Sequence, residues 1–169
     1  SLRITLFSAF LGTVLFTIFL NAATSALHVR NLIKQSVQEK IHIAVGIGAQ
    51  QIDGDVHSRI KQDGDDQTEE YQALFKQLTR IRKINPDIKN VYTIRQKADG
   101  GAVFIVDADP KIKERARIGH RVIEITPAIR EAFATRNRIV VEDAYFTDEW
   151  GTFVSGFAPL YTSAGVFEG

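Results

Sequence analysis

From Ile4 to Leu27 the chain carries no charged residue: ITLFSAFLGTVLFTIFLNAATSAL. As a helix rising about 1.5 Å per residue, this run reaches about 36 Å, enough to cross a hydrocarbon core of about 30 Å. A buried core helix of this length would carry at least one charge. A cleaved signal peptide has a shorter apolar region, about 7–15 residues, although TSA before Leu27 resembles a cleavage site. A helical pattern continues past the run, so we read residues 1–27 as a retained transmembrane helix. Arg3 on the short side points to a cytoplasmic N-terminus, and Arg30, Lys34 and Lys40 on the other side weaken that asymmetry.

Beyond Leu27 an apolar stripe passes through Ile33, Val37, Ile41, Ala44, Val45, Gly48, Ile52 and Val56. Its steps of mostly three or four trace one face of a helix. The spacing predicts a long helix to about residue 60, a stalk over 28–62 that either pairs with a second copy or lies on its own domain. The glycines of VGIG (45–48) weaken this helix by about 1 kcal/mol each relative to alanine, and permit a close helix contact or a bend. Asp53 and His57 share a face four residues apart, a spacing two metal ligands can use. No further ligands are fixed nearby, so a solvated polar patch is the simpler reading. DGDD (63–66) lacks the pattern of a calcium loop and reads as a turn.

Residues 63–169 are read as a separate folded domain. A second helix follows the turn, with Asp66 as cap and Glu69 completing a capping box. Tyr71, Leu74, Phe75, Leu78 and Ile81 form its buried stripe, and Arg80, Arg82 and Lys83 suit its C-terminal dipole. Asn85-Pro86 stops it. The period then changes to that of strands. NVYTIRQ (90–96) and AVFIVDA (102–108) flank an Asp-Gly turn and predict a hairpin. Alternation places Tyr92 and Ile94 on one face, Val91, Thr93 and Arg95 on the other. Residues 111–125 read as a covering loop, and Thr126-Pro127 starts a short helix ending near Thr135. RIVVEDAYF and GTFVSGFAPLY predict two more strands joined by TDEWG, then a turn at TSAG and the opening of a strand at VF. Hairpins without βαβ crossovers predict an α+β fold: an antiparallel sheet of about five strands, the last cut short, flanked by helices. A sheet roofed by residues 109–135 encloses a small pocket. The chain begins at Ser1 without methionine and stops at GVFEG, so we expect it to be a piece of a longer protein.

Composition narrows the function. With 21 basic and 20 acidic side chains the net charge is +1, which gives no electrostatic basis for binding nucleic acid. Cysteine is absent, excluding disulfides, thiolate nucleophiles and cysteine-based zinc sites. Asp148 and Glu149 sit side by side in TDEWG, pointing to opposite faces if the strand continues, which suits no paired acid–base chemistry. His28, His42, His57 and His120 show no nucleophile–base spacing. We assign no catalytic residue, metal or cofactor.

Several pieces, in this order, resemble the extracytoplasmic PAS-like sensor domains of the Cache superfamily in bacterial transmembrane receptors. They are the membrane helix merging into a long helix, QIDGDVH, YQALFKQLTRIRKINPDIKNVYT, GGAVFIVDADP and YFTDEWGTFVSGFAPLYTSAG. The resemblance covers nearly everything after residue 50. It implies ligand sensing outside the cytoplasm, at the cell (inner) membrane, with signalling through helices of a homodimer to a cytoplasmic kinase, nucleotide cyclase or chemotaxis module. A pocket of that family would open near Tyr92, Asp107, Asp109, Tyr145 and Ser155. In TDEWG, Trp150 either folds back on the sheet or walls the pocket while Asp148 accepts ligand hydrogen bonds. Asp107 and Asp109 equally suit a turn cap at DADP. Arg95 is able to clamp a carboxylate in bidentate fashion. An amine ligand would use Asp107 and Asp148, and a carboxylate Arg95 or Arg121, so the expected partner is an amino acid, amine or small carboxylate. The alternatives are a ligand-free dimerisation or spacer module and a membrane-tethered hydrolase.

Overall fold

The computed structural model describes residues 2–148 and 151–169. Its first element is one helix, α1 (Leu2–Gln50), and the chain divides into a unit reaching Lys40 and a second unit, Ile41–Gly169. Every described side chain from Leu2 to Ala22 is exposed, Phe19 by 70%. Three polar side chains of this stretch bond to the helix's own backbone. Thr13 and Thr17 donate to the carbonyls of Ala9 and Thr13 at 2.9 and 2.8 Å, and Asn21 to Thr17 at 3.0 Å. An apolar helix whose hydroxyls bond its own backbone suits hydrocarbon better than water. The helix is long and apolar enough to span a membrane.

The helix ends ten residues earlier than its apolar stripe predicts. After Gln50 the chain turns, and Asp53 caps a separate short helix, α2 (Gly54–Arg59), by accepting from the amides of Asp55 (2.8 Å) and Val56 (3.2 Å). The break has a tertiary cause. A Cβ on Gly54 would lie 2.0 Å from the carbonyl oxygen of Tyr161, so only glycine lets the backbones meet there. Asp55 then accepts from the Ser163 amide at 3.2 and 3.1 Å. Gly46 and Gly48, read as possible points of close helix approach, face the same unit: Cβ atoms there would lie 2.7 Å from Ile139 and 3.5 Å from Ile81.

Helix α3 (Glu69–Ile84) is capped by Thr68, whose hydroxyl accepts from the Tyr71 amide at 3.3 Å, and not by Asp66. Asp65–Gln67 form a 3₁₀ turn first, which moves the cap two residues on. Tyr71, Leu74, Leu78 and Ile81 are buried as the stripe predicts, and Phe75 is half-buried. Strands β1 (Tyr92–Gln96) and β2 (Ala102–Asp107) pair antiparallel from Tyr92↔Asp107 to Gln96↔Ala102, with a bulge between Thr93 and Ile94. One face of this hairpin packs on Leu74, Leu78, Ile81 and Ile60 through Val103, Ile105 and Val106. The other face, with Ile94 and Ala102, packs on Ile129 and Phe133 of α4 (Pro127–Thr135), a helix capped by Thr126 as read from the sequence. Burying each such aliphatic or aromatic side chain contributes about 1.5–3 kcal/mol.

The remaining strands are short: β3 (Val140–Val141) pairs with β6 (Gly156–Phe157), and β4 (Phe146–Asp148) with β5 (Gly151–Phe153). The fold is α+β with small antiparallel sheets, but among the described residues the ladder comes as three two-stranded pieces, not one sheet of about five strands. A bend at Asp143 and Ala144 interrupts the first predicted strand. Pro159, which has no N–H to offer a ladder, follows soon after β6. The turn predicted at TSAG is present, with Thr162 N donating to the Val166 carbonyl at 2.9 Å.

Candidate functional site

Tyr92 opens β1 on the face that packs against α4, its ring edge-on to Phe104 at 5.2 Å between centroids. Its phenol lies close to the Ser155 side chain, which acts to lower its pKa. Ser155 lies between β5 and β6 and is fixed by Glu142: the Ser155 amide donates to Glu142 Oε2 at 3.1 Å, and the Glu142 amide to the Ser155 carbonyl at 2.9 Å. Burial pushes the Tyr92 phenol up to about 12, and the charges of Glu142 and Asp107 act in the same direction. The phenol is therefore neutral and available as a donor across the physiological range. Tyr92, Ser155 and Glu142 form a half-buried cluster rich in acceptor oxygens beside the Phe104 ring.

Asp107 stands across the ladder from Tyr92, but its carboxylate holds the following loop. Oδ1 accepts from Asp109 N at 3.0 Å and Oδ2 from Ala116 N at 2.8 Å. Burial raises its pKa, and the two amides pull the other way. Asp109 accepts from Lys111 N at 2.7 Å, while the Arg115 guanidinium donates to its carbonyl at 2.8 Å and lies over the Phe75 ring at 4.4 Å. Both aspartates of DADP thus serve as turn caps, the second of the two readings given for them.

Arg95 lies on the opposite face and clamps a carboxylate of its own chain. Its guanidinium donates to Glu168 Oε2 at 2.8 Å and to the carbonyls of Ile60 and His57, both at 2.9 Å. His57 is fully buried there, with Nε2 3.0 Å from Thr93 Oγ1 and Nδ1 3.6 Å from Glu168. Burial, with Arg95 adding to it, lowers the His57 pKa to about 3, so the ring is neutral. Asp53 caps α2 while His57 points into the core, so the two are engaged separately.

The structure therefore brings together two of the residues predicted from sequence, Tyr92 and Ser155, with Asp107 at the edge. Arg95 is on the other face, and Arg121 is paired with Asp99 at the hairpin turn. Tyr145 is exposed ahead of β4. Asp148 pairs through its backbone with Gly151, and Glu149 and Trp150 lie outside the described residues. Glu142, His57 and Glu168 were not foreseen. An acidic residue ending a β-branched run was the only hint of Glu142, and separations of 35 residues and more in the Arg95 network leave no local signal. The surface depressions at the hairpin turn (Asp99, Arg121, Arg130) and along α3 (Glu69, Lys76, Arg80) are lined by other residues. Compared with protein-family models, curated proteins and solved structures, the chain matches none of them.

Proposed function

We propose that this chain is the extracytoplasmic, PAS-like sensor region of a membrane receptor, binding a small amine or amino acid at Tyr92, Ser155 and Glu142. The observation that carries the reading is the pairing of a membrane-length apolar helix with a folded unit bearing a half-buried polar cluster against its sheet. A neutral phenol, a hydroxyl and a carboxylate beside an aromatic ring suit a ligand that carries N–H donors or positive charge. A carboxylate group would find Arg95 already engaged by Glu168. The tail of the chain lies against the hairpin, with the Gly169 backbone abutting Ile94 of β1. Signalling would proceed through α1 in a homodimer to a cytoplasmic output module.

A second reading, a ligand-free spacer, is favoured by the internal engagement of Arg95, Asp107 and Asp109. Thermal shift of the full chain in detergent against amines, amino acids and small carboxylates separates the two. A shift with an amine that is absent in Glu142→Gln supports the sensor, and no shift at millimolar concentrations supports the spacer. Topology has its own test, because the chain has no cysteine. Lys113→Cys is expected to react with a membrane-impermeant maleimide in intact spheroplasts, and reaction only after lysis would contradict an extracytoplasmic domain.

A further inference from the structure

Ser155 is followed by Gly156, which pairs with Val141 in the β3–β6 ladder. A Cβ on Gly156 would lie 2.5 Å from Cγ2 of Ile41, 3.1 Å from Cγ2 of Val45 and 3.6 Å from Cγ2 of Val141. The backbone of β6 therefore rests directly on the Ile41 and Val45 methyls of α1, with no side chain of its own between. Ile41 and Val45 are four residues apart on one face of α1, and β-branched residues in a helix are held in essentially one rotamer. Their Cγ2 methyls cannot swing away. Beside Val45, a Cβ on Gly46 would lie 2.7 Å from Cδ1 of Ile139, the residue before β3. The two close approaches set this part of α1 against β6 and the start of β3.

We propose that Gly156 is the positioning residue through which the Tyr92–Ser155–Glu142 cluster acts on helix α1, an inference resting on the sensor reading only for the cluster's role. Ser155 is held through its amide and carbonyl by Glu142, and its side chain lies beside the Tyr92 phenol. A ligand that recruits the phenol or the carboxylate displaces Ser155, and Gly156 moves with it. Close-packed contacts without a compressible side chain pass such a shift on. Ile41 and Val45 belong to the same helix, Leu2–Gln50, as the membrane-length run, so the step is delivered to the element that a receptor uses for output. The glycine is the device: any larger residue would force the strand and the helix apart.

Amide hydrogen exchange of the full chain in detergent micelles tests this without a ligand. Tyr92→Phe removes the hydroxyl beside Ser155 and leaves the α1 contact untouched. It is expected to speed exchange of the amides of residues 41–48 by about threefold or more, with α3 amides unchanged. Gly156→Ala is expected to speed the same amides by about tenfold, and adding Ile41→Ala, which deletes the methyl 2.5 Å away, is expected to restore them to within about twofold of Ile41→Ala alone. The proposal is overturned if Tyr92→Phe alters exchange only at Glu142 and Ser155, or if Ile41→Ala fails to rescue. Should Gly156→Ala not fold, the Tyr92→Phe result decides alone. A failed ligand screen would count against the sensor reading and leave this contact standing, so the two failures are distinguishable.

Discussion

Replacing Arg95 by methionine removes three charge-assisted hydrogen bonds of 2.8–2.9 Å while keeping an unbranched apolar stem. Bonds to charged groups contribute about 1.5–3 kcal/mol each, and breaking a buried ion pair costs about 3–5 kcal/mol. The Arg95 and Glu168 side chains are 23% and 17% exposed, so solvent screens part of this, and the carbonyls of Ile60 and His57 can recruit water. We expect a loss of about 3 kcal/mol, which for a unit of this size lowers Tm by about 10 °C. The fully buried His57 loses its cationic neighbour as well, so its acid titration moves up. Glu168→Gln, whose amide oxygen still accepts from Arg95, is expected to lose about 1 kcal/mol. The assay is urea denaturation of the full chain in detergent, followed by circular dichroism, with the two single variants and the double variant forming a cycle. A coupling energy of about 1 kcal/mol or more is expected. An Arg95→Met variant within about 0.5 kcal/mol of wild type would refute the claim that this guanidinium joins α2, β1 and the C-terminal segment.

Gly54→Ala puts a methyl 2.0 Å from a backbone oxygen that cannot rotate away, so it should lose about 3 kcal/mol or more in the same assay, whereas Gly12→Ala, with open space around it, should leave the folded unit unchanged. Tyr92, raised from 10 to about 12, holds its proton in the folded state after the unfolded chain has released it; stability should therefore fall as pH rises from 10 to 12, and less steeply in Tyr92→Phe. His57 shows the opposite sign. Its folded pKa of about 3 lies below the unfolded 6.5, so its contribution is intact above pH 6.5 and is lost as pH falls toward 3, a slope that His57→Gln should flatten in acid denaturation.

What the sequence disclosed was local. The β1–β2 hairpin follows from an Asp-Gly turn between β-branched runs, α4 from Thr126-Pro127, and the end of α3 from Asn85-Pro86, each dictated by chemistry within a few residues. The apolar run of α1 was legible for the same reason. The break after Gln50 was not, because its cause lies at Tyr161 and Ser163, more than a hundred residues away in the chain. Of the periodic stripe, Val56 falls on a second helix and Ile52 in the turn before it. Arg95 illustrates the limit for sites. Its type suggested a clamp for a ligand carboxylate, and the tertiary structure instead pairs one of its nitrogens with Glu168 of the same chain. Tyr92 and Ser155 were placed at a shared site by strand alternation and resemblance, whereas Glu142 joins them through a bend that interrupts its strand. The single sheet expected from four β-rich runs comes as short ladders where Asp143, Ala144 and Pro159 break the pairing.

The central claim is that the oxygens of Tyr92, Ser155 and Glu142 recognise a small donor-bearing solute. Calorimetric titration of the full chain in detergent with primary amines and amino acids, repeated on Tyr92→Phe and on Arg121→Ala as a remote control, tests it most directly. The account predicts a saturable heat for at least one amine or amino acid that is weakened about tenfold or more by Tyr92→Phe, the cost of one well-placed hydrogen bond, and unchanged by Arg121→Ala. No saturable heat at millimolar concentrations, or binding indifferent to Tyr92, would contradict it.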